Sequence, residues 1–130
     1  METNKSYDLE NRLVKFECLC LDVCDKLPST KSGQNLDYQL SKSSSAPALI
    51  YGEAQAADSH ADFIHKMKLV LKEIRETRMC LRVINEKPIL ANENSIIALK
   101  ECNELMAIFI KSIETSKKNH LVNNIIGAEK

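Results

Sequence analysis

Apolar residues recur at helical spacing along most of the chain. The longest such run extends from Ser59 to Glu86, and no glycine or proline interrupts it before Pro88. Spacings of three, four and seven residues place its apolar positions on one side of a helix, at about 100° per residue. These positions are Phe63, Met67, Val70, Ile74, Thr77, Leu81 and Ile84. Ser59 followed by Asp62 is typical of a helix start, because the serine hydroxyl can accept from a free amide of the first turn.

Three further segments have the same kind of pattern and predict three more helices. The first, at about residues 8–26, has a strict heptad seam, which is the geometry of a helical bundle. The second, at about 34–57, contains Pro47, which we expect to bend or break it because proline removes a backbone donor and clashes with the preceding turn. The last covers about 94–116. Short connections join all four, so we expect an all-α, antiparallel up-and-down four-helix bundle over residues 8–116, preceded by a disordered N-terminus (1–7) and followed by a flexible tail (117–130).

The last predicted helix has an unusually broad apolar arc. Its apolar positions are Ile97, Ala98, Leu99, Cys102, Leu105, Met106, Ile108, Phe109, Ile110 and Ile113. At about 100° per residue they cover roughly 220°, whereas a surface helix of a monomeric bundle needs only a little over 100°. Either the surplus forms a subunit interface, or the core is wide at this helix.

Composition narrows the class of protein. The 130 residues carry 18 Lys plus Arg and 18 Asp plus Glu, so the net charge is zero and a wholly basic, nucleic-acid-coating surface is excluded. No apolar run is long enough for a transmembrane helix, and the polar N-terminus does not resemble a signal peptide. We therefore expect a cytoplasmic protein without a membrane partner. Its five cysteines, none in a C-x-x-C pair, are expected to be buried free thiols.

Basic residues form a second stripe on the third predicted helix. Its members are Lys68, Lys72, Arg75, Arg78 and Arg82, with Lys66 on the adjacent face. One interpretation is a solvated helix face. The other is a stripe that binds the phosphates of RNA or DNA.

The sequence contains no recognisable catalytic, cofactor or metal motif. It lacks a glycine-rich phosphate loop, H-E-x-x-H and G-x-S-x-G. His65, three residues from Asp62, indicates a surface contact rather than a ligand set. Glu53 lies among small apolar residues, and we expect it to be at least half-buried in a structural ion pair with a base of the third helix. We expect a protein that is not an enzyme and has no cofactor.

Several runs resemble a known family. They are ALIYGEAQ (48–55), DFIHKMK (62–68) and LKEIRET (71–77), together with LeuPro at 27–28 and ECNEL at 101–105. In these runs the chain is similar to the four-helix bundle proteins encoded in intervening sequences of bacterial 23S ribosomal RNA genes. The resemblance implies a ring-like homopentamer. A related family, the accessory variability determinants of diversity-generating retroelements, shares that assembly and binds nucleic acid through a basic surface.

Two functional hypotheses follow. The first is an oligomeric accessory protein that binds RNA or DNA phosphates through Lys66, Lys68, Lys72, Arg75, Arg78 and Arg82. The alternative is a protein–protein interaction scaffold without a nucleic-acid role, which the zero net charge and the scarcity of stacking aromatic residues favour.

Overall fold

Four long helices make up the chain in a computed structural model, which describes residues 2–90 and 92–129, with side chains at 8–90 and 92–128. The helices are α1 (Glu2–Lys26), α2 (Lys31–Gln55), α3 (His60–Glu86) and α4 (Glu93–Glu129). Each packs against two others, in the closed order α1, α2, α3, α4 and back to α1. The described residues contain no strand. The prediction of an all-helical four-helix bundle is therefore confirmed.

The predicted apolar seams form the core. In α3 every predicted seam position is buried except Phe63, which is partly buried. In α4 the stripe Ala98, Cys102, Leu105 and Phe109 is fully buried. The largest fully buried side chains are Phe16, Phe109, Leu13, Leu40, Met67, Ile74, Leu81, Ile84 and Leu105. The core accordingly runs the length of the bundle.

The starts of α2 and α3 are capped by side chains. Thr30 Oγ1 accepts from the Gly33 amide at 3.1 Å, so α2 begins at Lys31, earlier than the predicted start near residue 34. Ser59 Oγ accepts from the Asp62 amide at 3.0 Å, which confirms the predicted start of α3. Each cap satisfies one amide that has no partner within its helix.

Pro47 lies inside a continuous α2, so it does not break the helix; the alternative expectation, that it bends the helix, stays a prediction. Proline removes only one backbone donor. Pro47 itself is buried, and α2 packs along α3 on both sides of this position, at Ser43–Thr77 and at Glu53–Lys66. Tertiary packing against α3 therefore keeps α2 helical at Pro47, the residue with the lowest helix propensity.

Helix α4 is longer than predicted. It continues to Glu129, whereas the loss of apolar period indicated an end near residue 116. Residues 117–128 are exposed. That the segment 117–130 is flexible and that residues 1–7 are disordered stay predictions, although the backbone of residues 2–7 is helical as part of α1.

Buried polar groups connect neighbouring helices. The hydroxyls of Thr77 and Ser43 are hydrogen-bonded to each other at 2.8 Å between α3 and α2. The Cys102 thiol donates to the Ile74 carbonyl oxygen at 3.4 Å, and the Cys24 thiol donates to the Asp37 carbonyl oxygen at 3.7 Å. Four of the five cysteines are buried free thiols as predicted, but Cys18 is exposed. It lies two residues from both Phe16 and Cys20, and a two-residue step turns a helix by about 200°, away from the core.

The apolar arc of α4 is mostly covered within the chain. Leu99 and Met106 are partly buried against the core, and Ile113 is buried. Of the arc, Ile97 remains exposed, at 45%. Most of the arc therefore belongs to a wide core. The part of it that remains exposed and could form a subunit interface is smaller than the spacing of the apolar residues indicated.

Candidate nucleic-acid interface

Three residues of the predicted basic stripe lie together beside the groove between α3 and α4. Lys68, Lys72 and Arg75 follow each other at spacings of four and three, so they occupy one outer flank of α3. All three side chains are exposed. The groove they line is completed by Leu71 of α3 and, from α4, by Ile110, Ile113 and Glu114. The apolar residues form its floor and the charged groups its rim.

A fourth cation joins this cluster from the other helix. Lys117 of α4 lies beside Lys68, and the neighbouring ammonium group lowers the pKa of Lys117. Two like charges held side by side disfavour each other's charged form. An anion placed between them would remove this repulsion. We call Lys68, Lys72, Arg75 and Lys117 the groove cluster.

Carboxylates are present at the groove but do not neutralise the cluster. Glu76 and Glu114 line the same groove. Within the described part of the chain, no carboxylate forms an ion pair with a member of the groove cluster. Glu73, further around α3, has its pKa raised by burial and then by Glu76, while the nearby charge of Lys72 acts in the opposite direction. With Lys117 counted beside the three lining cations and Glu73 beside the two lining carboxylates, four positive charges face three negative ones, so the groove keeps a small positive excess although the chain is neutral.

The other three predicted site residues have partners elsewhere. Lys66 Nζ is 2.9 Å from Glu53 Oε1 of α2. This is the expected structural ion pair of Glu53, although Glu53 is exposed rather than half-buried. Arg82 Nε pairs with Glu86 at 2.8 Å within α3.

Arg78 is the third of these residues, and it lies on the side of α3 that faces α4. Its Nε donates to Asn103 Oδ1 at 2.8 Å. The structure therefore brings Lys68, Lys72 and Arg75 together and directs Lys66 to the opposite, α2-facing side.

Sequence reasoning missed Lys117, because it assigned that residue to a tail outside the bundle. The only signal was the pair Lys117–Lys118 directly after the last apolar period of α4. Recognising its role needs the antiparallel register of α3 and α4. Residue pairs 60 with 116, 78 with 103 and 85 with 95 fix that register.

Two histidines meet at the same end of the bundle. The rings of His60 and His120 stack in parallel with centroids 3.8 Å apart. His60 Nε2 is also 3.2 Å from Ser116 Oγ. Parallel stacked rings do not direct their nitrogens at one common ion. Among the residues that the structure describes, no group of three or more side chains could hold a metal ion. The contact therefore joins the first turn of α3 to α4.

None of the described helices combines the length and the apolar character that crossing a bilayer requires.

A solved structure with the same fold comes from Bacteroides thetaiotaomicron. It is described as a protein with unknown function from the S23 ribosomal protein family, and it matches this chain with a TM-score of 0.76. The two sequences are 22% identical, and the match covers 85% of this chain and 98% of that chain. At this identity the likeness shows the fold alone. No protein-family model matches the chain, and no curated protein matches it.

Proposed function

We propose that this chain is a non-enzymatic, oligomeric four-helix bundle of the 23S rRNA intervening-sequence family that binds the phosphate backbone of RNA or DNA through the groove cluster. The observation that carries the proposal is the set Lys68, Lys72, Arg75 and Lys117, which are exposed, adjacent and without ion-pair partners in the described part of the chain.

The chemistry of the cluster fits phosphates better than bases. Lysine ammonium groups bind phosphate oxygens as point charges, and the guanidinium of Arg75 can bind two oxygens at once. None of the described residues that line the groove is an aromatic side chain on which a base could stack. Binding through phosphates positions a nucleic acid without reading its sequence. We therefore expect weak sequence preference and a strong dependence on salt.

Assembly would strengthen this binding. A single groove offers few phosphate contacts, whereas several copies of a neutral subunit in one ring would present several grooves to one strand. Linked sites of this kind raise the overall affinity without any new contact. The homopentamer implied by the family resemblance is part of the proposal on this ground.

Fluorescence anisotropy with a labelled RNA of mixed sequence, over a series of salt concentrations, tests the proposal. The decisive variant is Lys68→Ala/Lys72→Ala/Arg75→Ala. The matched control is Lys26→Ala/Lys31→Ala/Lys87→Ala, which removes the same charge from exposed lysines outside the groove.

The groove variant is expected to weaken binding and to flatten the plot of log K against log salt by about 2 to 3 units, at roughly 0.7–0.9 per phosphate contact. The control variant is expected to keep the slope. Equal slopes in the two variants, or no binding by the unaltered protein, would refute the proposal.

A scaffold role is the second candidate, and one surface favours it. Tyr38 of α2 and Met79 and Val83 of α3 are exposed at 66%, 52% and 47%, and all three line one groove between these helices. Exposed apolar residues that share a groove are typical of protein-binding surfaces. Met79→Asp would abolish capture of a protein partner on this candidate and would leave RNA binding unchanged.

A further inference from the structure

The last three turns of α4 carry an apolar surface that is left exposed by the rest of the described chain. Leu121, Val122, Ile125 and Ile126 are exposed at 61%, 45%, 52% and 48%. We call these four residues the tail patch. Spacings of one, three and four residues place them on one side of the helix.

The tail patch faces away from the bundle core. Continuing the buried stripe of α4 from Phe109 at 100° per residue leads to Ser116, His120 and Asn123. The structure agrees, because Ser116 and His120 contact His60 of α3. The tail patch therefore lies on the opposite side of α4 from its own core.

The tail patch also lies beyond the end of its own bundle. His60 is the first residue of α3 and stacks on His120, so α4 continues past α3 from residue 121 onward. Helix α4 has 37 residues and α3 has 27, a difference of ten residues or about 15 Å. Among the described residues no other helix reaches these turns, so another molecule has access to the exposed side chains.

The sequence of this segment is symmetric about its midpoint. Reading outward from between Asn123 and Asn124, each apolar residue meets an apolar residue at the same distance: Val122 corresponds to Ile125, and Leu121 to Ile126. Positions 118, 122, 125 and 129 follow the four-three-four spacing of a heptad seam. An antiparallel pairing of two identical helices requires this kind of symmetry, because each residue i then faces residue j while j faces i.

We propose that the tail patch pairs with the tail patch of a second copy of this chain, as a short antiparallel coiled coil. The charges agree with this direction. In the antiparallel register Lys118 lies beside the last turn of the partner helix, whose free carbonyl groups carry partial negative charge. That last turn contains no basic residue of its own. The residue symmetric to Lys118 in the sequence is Glu129.

The contact between two tail patches is small, and its small area determines how strong the pairing can be. Four half-exposed apolar side chains bury only a few hundred Å² per copy, below the roughly 800 Å² per partner of a standard stable interface. The pairing is therefore weak and reversible on its own. It joins copies two at a time, so it is distinct from a ring contact and connects two assembled rings where rings form.

Cysteine cross-linking tests both the contact and its direction. In a Cys18→Ser background, which removes the exposed native thiol, Val122→Cys and Ile125→Cys proteins are oxidised separately and as an equal mixture. The antiparallel register places residue 122 against residue 125 of the second copy, so the mixed dimer is expected to exceed either self-linked dimer at least ten-fold. Self-linking that equals or exceeds mixed linking, or no linking at all, would overturn the proposal.

A charge substitution provides an independent measurement. Val122→Asp/Ile125→Asp changes only exposed positions, so the thermal stability of the bundle is expected to stay unchanged. Light scattering over a concentration series is expected to show a doubling of mass for the unaltered protein and none for this variant. If the unaltered protein shows no doubling, or the variant doubles equally, the pairing is absent. A ring mass that persists in the variant separates this result from failure of the proposed ring.

Discussion

The two glycines of α2 offer a matched test of how this bundle is packed. Gly33 and Gly52 lie in the same helix, and neither has a positive φ. Replacing glycine by alanine in a helix interior stabilises it by about 1 kcal/mol, because the chain loses less conformational entropy on folding. Helix propensity alone therefore predicts that both substitutions stabilise the protein.

The surroundings of the two glycines differ. At Gly52 an added Cβ meets nothing within 4 Å. At Gly33 it would overlap the carbonyl oxygen of Pro28 and come within 3.0 Å of both the carbonyl carbon and Cγ of that residue. A backbone oxygen cannot swing aside as a side chain can. Relief would move the whole turn between α1 and α2, including the Thr30 cap.

We expect opposite signs for the two variants. Gly52→Ala should raise the free energy of unfolding by up to about 1 kcal/mol. Gly33→Ala should lose about 3 kcal/mol to the overlap, the upper end of overpacking costs, and keep part of the propensity gain, for a net loss of about 2 kcal/mol. At about 4 °C per kcal/mol the two variants should differ by roughly 12 °C in Tm.

Urea and thermal unfolding followed by far-ultraviolet circular dichroism measure both variants under identical conditions. Gly52→Ala is the control for the general effect of replacing glycine by alanine, which lowers the conformational entropy of the unfolded chain. If Gly33→Ala proves as stable as Gly52→Ala, the close approach of α2 to the Pro28 turn is wrong.

The buried groups support three further predictions. Thr77→Val should lower the free energy of unfolding by about 1–2 kcal/mol, because it leaves the Ser43 hydroxyl without its 2.8 Å partner. In a double-mutant cycle with Ser43→Ala, the loss in the double variant should be about 1 kcal/mol smaller than the sum of the two single losses. Strict additivity would show that the hydroxyls are uncoupled. Iodoacetamide should label one thiol per native chain, Cys18, and all five after unfolding; labelling of several thiols in the native protein, counted by mass spectrometry, would contradict the burial. Burial raises the pKa of Cys20 and raises that of Cys102 to about 12, whereas an unfolded thiol titrates near about 8.5. Above that pH the unfolded state releases protons that the folded state retains, so stability should fall by about 1 kcal/mol per buried thiol between pH 9 and 10, and urea midpoints that stay level across this range would count against it.

The sequence predicts the helices and the core because both depend on a local, periodic signal. The spacing of Met67, Val70 and Ile74 sets one face of α3 whatever surrounds it, and that face is buried. The end of α4 was not predictable by this signal, since the tail patch begins a new apolar face rather than continuing the old one. The prediction that Cys18 is buried was wrong for a different reason. It rested on the general tendency of free cysteines to be buried, although the spacing of Cys18 from Phe16 and Cys20 already indicated the outer face of α1.

The candidate site was predictable in part for the same reason. Lys68, Lys72 and Arg75 share a helix face that spacing alone defines. The pairing of Arg82 with Glu86 was also readable, because the two residues are four apart in one helix. Lys117 was not, since its place beside Lys68 depends on the antiparallel register of two helices.

The most direct test of the proposed function is the mass and ultraviolet spectrum of the purified protein in a single chromatographic peak. Light scattering gives the mass independently of absorbance, and a chain with three tyrosines and no tryptophan absorbs weakly, so bound nucleic acid would dominate the spectrum. We expect a peak with several times the 14.7 kDa mass of one chain that carries nucleic acid, and less bound nucleic acid in Lys68→Ala/Lys72→Ala/Arg75→Ala. A monomer free of nucleic acid, which also fails to bind added RNA at low salt, would contradict it.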